Sequence, residues 1–209
     1  MRLLAFLLAV CCFALPASAA ELSVSLATAA GRPVANAVVM VRPQGFVPRG
    51  PIRFPWPYRV AQRDMQFEPF VLIVPVGAEV GFPNLDPFKH HVYSFSPAKT
   101  FELKLYGRDE TRSVKLDKTG VVSLGCNIHD DMTAFIRVVD TPFAAKTDAR
   151  GAAIIHDLPP GPATVTIWHP YQKGPGAEIR RQIVTPASGV ASLAAILDLR
   201  AQPLRRGTY

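Results

Sequence analysis

The chain has 209 residues, hydrophobic residues at 49%, and 23 Lys and Arg against 16 Asp and Glu, for a formal net charge of +7. That length allows more than one small domain. The basic residues are scattered and no cluster interleaves with aromatics, which excludes the footprint of a nucleic-acid module and leaves a field that steers acidic partners inward.

Arg2, the apolar run 3–15 and the small residues Ala17-Ser18-Ala19 read as a secretory signal over 1–19. The expectation is therefore an exported, periplasmic protein. The apolar run is shorter than the roughly 20 residues of a membrane helix, and no later stretch is long enough, so stable membrane insertion is not expected. Val10, bulky and directly before Cys11, argues against lipid attachment at Cys11 or Cys12. Loss of the signal removes both, and Cys126 then has no disulfide partner. A lone thiol in an oxidising compartment is chemically exposed; metal coordination would hold it as a thiolate, and the plain alternative is a small buried hydrophobe.

Beyond the signal, apolar segments are short, rich in Val, Ile and Phe, and bounded by Gly, Pro, Asn or Asp, which predicts an all-β fold with almost no helix. Strands are expected at 22–26, 34–41, 70–75, 80–82, 91–95, 112–116, 121–124 and 134–139, then at 152–155, 163–168, 179–184 and 192–199. The Pro-, Gly- and aromatic-rich stretch 46–57 reads as a linker or covering loop, and Asp140-Thr141-Pro142 as a second break. A dense basic group, Arg200 with Arg205 and Arg206, runs into the terminal tail, 201–209.

Gly31-Arg32-Pro33-Val34-Ala35-Asn36-Ala37, Thr147-Asp148-Ala149-Arg150-Gly151 and Leu158-Pro159-Pro160-Gly161 resemble the turn motifs of carboxypeptidase-regulatory-like, prealbumin-type β-sandwiches. Glycine supplies positive φ in such turns and proline presets the bend. The resemblance implies that 20–45 and 140–200 form one small prealbumin-like sandwich, with 58–139 inserted as a second unit.

That middle segment carries the chemistry. The run Cys126-Asn127-Ile128-His129-Asp130-Asp131-Met132 offers a thiolate, an imidazole and a thioether within one loop, and His90-His91 supplies a second imidazole upstream. Two nitrogens, one soft anionic sulfur and one weak sulfur are the ligand set of a mononuclear blue-copper site. Each residue also has a bland reading: a strand histidine is often a hydrogen-bonded core residue, and Met132 at the head of an apolar strand suits plain core. His91 falls on the opposite face from His90 in a regular strand, giving it a supporting or exposed place. His156 and His169 lack a cysteine or carboxylate at ligand spacing and read as structural.

The spacing Cys-x-x-His-x-x-Met resembles the short ligand loop of amicyanin, among the cupredoxins, better than the longer loops of plastocyanin or azurin. Pro83-Asn84-Leu85-Asp86-Pro87-Phe88-Lys89-His90-His91-Val92 is similar to the cupredoxin "Asn-x-Asp-x-x-x-His-Asn-Val" segment, with His91 in place of the usual asparagine. The segment also resembles the plastocyanin-like proteins labelled methylamine-utilization proteins. This implies a cupredoxin-like Greek-key sandwich holding one type 1 copper through His90, Cys126 and His129, with Met132 as the long axial ligand. It further implies an electron carrier rather than an enzyme. Its partners would be a cytochrome or dehydrogenase with an acidic surface, reached through His129 within a rim of Pro87, Phe88 and Met132.

Two features depart from the pattern. Asp130-Asp131 places carboxylates inside the loop, and Asn127-Ile128 lacks the proline often found before the second histidine. A carboxylate in place of Met132 would give an atypical red-copper centre or favour zinc. The alternative function is a non-redox copper-handling or structural metal-binding module of an exported assembly, and reversible redox cycling separates the two.

Overall fold

The computed structural model describes residues 20–201. The expected signal, with Cys11 and Cys12, and the tail beyond Ala201 lie outside the described residues. In chain order the first strands are β1 (Ala20–Thr28), β2 (Val38–Pro43), β3 (Ala61–Arg63), β4 (Gln66–Glu68), β5 (Val71–Pro75) and β6 (Ala78–Pro83). Next come β7 (His90–Ser96), β8 (Lys99–Tyr106), β9 (Thr111–Leu116), β10 (Gly120–Cys126) and β11 (His129–Val139). The last are β12 (Ala144–Lys146), β13 (Ala152–Leu158), β14 (Gly161–Trp168), β15 (Glu178–Thr185) and β16 (Gly189–Leu197). Among the described residues the only helical element is a single 3₁₀ turn, Pro175–Ala177, so the fold is all-β.

A three-stranded sheet, β13-β1-β16, faces a four-stranded sheet, β12-β2-β14-β15. Period-2 alternation builds the core between them: Leu22, Val24 and Leu26 of β1 point in against Val39 and Val41 of β2 and Val165 and Ile167 of β14. The Asp148 turn secures one corner. Its Oδ1 accepts the Arg150 and Ala152 amides, each at 2.9 Å. Gly151 there lies in the left-handed region, at φ 74, and a side chain would meet the Leu26 carbonyl at 2.3 Å.

The rest of the chain forms a five-stranded sheet, β5-β11-β10-β7-β8, covered by the pairs β3-β4 and β6-β9. Leu72, Val74, Val80, Phe82, Val122, Leu124, Ala134 and Ile136 fill its core. The two bodies meet at a third apolar cluster, where Val38 and Met40 of β2 and Trp168 of β14 pack against Val71 and Ile73 of β5 and Val139 of β11. This seam explains the unbroken apolar runs 38–41 and 71–74: alternate residues serve the sandwich core on one face and the seam on the other.

Several boundaries differ from the sequence expectation. Strand 34–41 begins only at Val38, because Asn36 takes a turn conformation with φ 62. β3, β4, β8 and β12 were not expected, and β11 starts at His129 instead of 134. The stretch 46–57 is a covering loop: Phe54 stacks on Trp56 at 4.8 Å, and the Trp56 indole donates to the Ile73 carbonyl at 2.8 Å, shielding the edge of β5. The break at 140–142 is tied down, with the buried Thr141 hydroxyl donating to the Val41 carbonyl at 2.7 Å and Asp140 paired with Arg42.

Candidate metal centre

Cys126 ends β10 and His129 opens β11, with Asn127-Ile128 as a two-residue turn between them, so the hairpin sets the thiol opposite the imidazole. Pairing then jumps from Cys126↔His129 to Gly125↔Thr133, and Asp130, Asp131 and Met132 bulge out of the ladder. On its other side β10 pairs with β7, Cys126 opposite Val92 and Gly125 opposite Tyr93, which brings His90 alongside. A Cβ at Gly125 would lie 2.6 Å from the far end of the Tyr93 side chain, so the glycine lets that ring lie across β10.

The Nδ1 atoms of His90 and His129 each lie 3.7 Å from Cys126 Sγ. The ligating atoms of the three residues fall within 4.8 Å of one another, and among the described residues they form the one such group, with no carboxylate in it. Cys126 is free and buried, His90 is fully buried, and His129 is partly exposed.

Asp86 holds the His90 ring. Its Oδ2 lies 2.7 Å from His90 Nε2, and the carboxylate also accepts the Asp64 amide at 2.7 Å and the Met65 amide at 3.1 Å. A carboxylate can only accept, so Nε2 carries the proton and Nδ1 turns its lone pair to the sulfur. Burial lowers the His90 pKa below its ordinary value even though Asp86 opposes the shift, which keeps Nδ1 available. Asn84 fixes the same loop, donating to the Phe88 carbonyl at 2.8 Å and the Tyr106 carbonyl at 3.0 Å and accepting from the Asp86 amide at 3.0 Å. Beneath it the buried Tyr106 hydroxyl donates to Gln62 Oε1 at 2.7 Å, and burial raises its pKa.

This donor set fits a metal ion. Metal–sulfur and metal–nitrogen bonds of about 2.3 and 2.0 Å at a trigonal angle of about 120° would hold S and N about 3.7 Å apart. That is the spacing found on both sides of Cys126.

No protein-family model matches the chain and no curated protein matches it. Among solved structures it is similar to a purple cupredoxin from Nitrosopumilus maritimus, at 18% identity over 39% of this chain and 98% of that one, with a TM-score of 0.36. A reduced amicyanin variant matches at 17% identity over 47% of this chain and 98% of that one, with a TM-score of 0.38. A Cu-containing nitrite reductase from Thermus scotoductus SA-01 matches at 27% identity and a TM-score of 0.38, over 47% of this chain but 25% of the reductase.

Of the expected site residues, the structure brings His90, Cys126 and His129 together. Met132 shares the core cluster of Cys126 and is 1% exposed, so it forms no part of a surface rim. The other two expected rim residues, Pro87 and Phe88, are exposed, Phe88 at 40%, and Ile128, at 51%, is a further exposed apolar residue beside His129. Phe88 contacts both imidazoles, with ring centroids 5.2 Å from His90 and 5.7 Å from His129. His91 is buried, its Nε2 3.0 Å from Glu102. His156 lies 2.7 Å from Glu21 on the surface, and His169 is buried among backbone partners. Sequence reasoning gave Asp86 no role of its own; an acid four residues before a ligand histidine was the available signal.

Proposed function

We propose that this protein is a type 1 copper protein that carries single electrons between redox partners and is not itself an enzyme. The observation that carries the reading is the pair of imidazole Nδ1 atoms, each 3.7 Å from the Cys126 sulfur, which together make an N,N,S donor set. Such a set with a weak axial thioether favours copper, whereas structural zinc prefers four strong tetrahedral ligands. Asp130 and Asp131 are exposed while Met132 is buried, which supports the thioether over a carboxylate as the axial donor.

Copper bound here would supply a reversible one-electron couple. His90, Cys126 and His129 would hold it, with Met132 as a weaker fourth donor. Asp86 fixes the tautomer and plane of His90, and the core around Cys126 excludes water. His129, the partly exposed imidazole, offers the route to the surface, and Phe88 and Ile128 give that route an apolar landing area. We assign the partners to redox proteins such as a cytochrome or dehydrogenase, with acidic surface to suit the chain's positive charge. The setting is taken as periplasmic after export; among the described residues no helix is long and apolar enough to cross a membrane. In this reading 58–139 is a cupredoxin-like domain inserted into a carboxypeptidase-regulatory-like sandwich made from 20–45 and 140–200.

The test is the visible absorption and EPR spectrum of the copper-loaded protein beside Cys126→Ser. An intense red-region band that disappears in the variant, with reversible voltammetry, is the expected result. A colourless protein that keeps zinc or binds nothing sinks the electron-carrier reading.

A further inference from the structure

A cavity of about 630 Å³ lies at the seam of the two bodies, and none of His90, Cys126, His129 or Met132 lines it. Its floor is Val71, Leu72 and Ile73 of β5, and Trp56, Leu85 and Ala145 form walls around it. The walls are anchored: the Trp56 indole is bonded to Ile73, and the Leu85 amide donates to the Gln62 carbonyl at 2.9 Å. A concave apolar surface of this volume with a few convergent polar groups is the usual form of a small-molecule site.

The charged groups are mostly of one sign. Arg59, Arg63 and Lys146 line the cavity against the single acid Glu68, which faces Arg63 at 4.0 Å. Among the described residues neither Arg59 nor Lys146 has a carboxylate partner. Lys146 Nζ makes one hydrogen bond, to the Val71 carbonyl at 2.9 Å, although an ammonium carries three donors. Lys146 is an exposed residue, yet partial desolvation of its ammonium lowers its pKa, and no acid opposes the shift.

We infer that this cavity binds a small amphipathic organic anion, an apolar or aromatic body against β5 and Trp56 with its carboxylate on Lys146. The charge balance selects the occupant: a neutral apolar molecule would leave the ammonium as it is, whereas a carboxylate adds charge-assisted hydrogen bonds. The inference goes beyond the copper reading and does not depend on it. Leu85 adjoins Asp86, so the occupant also lies next to the loop that holds His90.

The test titrates the purified full chain with 2-naphthoate and with its neutral counterpart 2-naphthamide, following the two tryptophan indole N–H resonances by NMR and assigning them with Trp56→Phe. The expected result is saturable binding of naphthoate, about tenfold or more tighter than naphthamide, with the Trp56 resonance shifting and the Trp168 resonance still. Lys146→Met should abolish the preference and Lys146→Arg should keep it. Equal binding of the two probes, no saturation by either, or a preference that survives in Lys146→Met would overturn the proposal. A naphthoate-induced shift confined to Trp168 would overturn it as well.

Discussion

At the scale of single residues, the centre depends on groups that never touch a metal. Asp86 receives three donors, the ring N–H of His90 and the amides of Asp64 and Met65. Asp86→Asn keeps the shape but replaces one acceptor oxygen with a donor, so at least one of the three loses its partner. Partners behind ligand histidines are commonly worth ten- to a hundredfold in metal affinity, and a loss in about that range is expected. Competition with a chelator of known affinity measures it, and an unchanged affinity would show that His90 needs no support.

His169 gives a second residue-scale prediction, one that concerns stability. Its ring is buried, accepts the Tyr171 amide at 3.2 Å, and burial lowers its pKa to about 4 from 6.5. Above pH 6.5 both folded and unfolded chains hold it neutral, and it contributes no pH dependence. Between 6.5 and about 4 the unfolded chain takes up a proton that the folded one refuses, so stability falls with pH, by up to roughly 3 kcal/mol. Below that window both forms are protonated and the loss levels off. Urea unfolding at steps from pH 7 to 4, compared with His169→Gln, should show a shallower decline in the variant; parallel curves would contradict the assignment.

At the scale of elements, what was legible in the sequence depended on how plainly a local signal reported a tertiary fact. Cys126 and His129 were readable because a two-residue turn places them opposite each other whatever surrounds them. The placement of Met132 was only half readable, since a rim position and a core position need the same residue type. β3 and β4 escaped notice because their hairpin turns on Asp64 and Met65, both at positive φ, 51 and 53, without the usual glycine. The two amides of that turn point to Asp86, a partner distant in sequence that offsets the backbone strain. β8 was hidden by Lys99, Glu102 and Lys104, the charges of a half-solvated edge strand. Arg137 gave no sign of its place either: it lies in β11 at the seam, paired with Glu178 of β15 and 5.8 Å above the Trp168 ring. Both partners are mostly buried, and because Glu178 also meets Arg180, it is removal of Glu178 that strands its partner. Glu178→Gln should destabilise the protein by about 3 kcal/mol, whereas Arg137→Met with Glu178→Gln together should recover part of that loss. A double-mutant cycle by chemical denaturation decides between this and an idle surface pair, for which both values would be near zero.

At the scale of the whole molecule, the decisive relation is that β2 and β12 are antiparallel neighbours although about a hundred residues separate them in sequence. Met40 pairs with Ala144 and Val38 with Lys146, and the Val41 amide donates to the Phe143 carbonyl at 2.8 Å. Continued one step further, that register sets Pro43 opposite Thr141, where a two-residue turn closes a hairpin. If the middle segment is an insertion at that hairpin, replacing residues 44–140 with Asn-Gly should leave a β-sandwich whose core, from Leu22 to Ile167, is untouched. The cost falls on the seam, because Val38, Met40 and Trp168 lose their cover of Val71, Ile73 and Val139. Val38→Thr with Met40→Thr in the shortened chain limits the exposed apolar patch without altering the inward residues Val39 and Val41. The shortened protein is expected to give dispersed NMR resonances and one cooperative urea transition. A collapsed chain without a transition would mean that the seam is part of a single indivisible core, and the middle segment would then be integral to the fold that presents it.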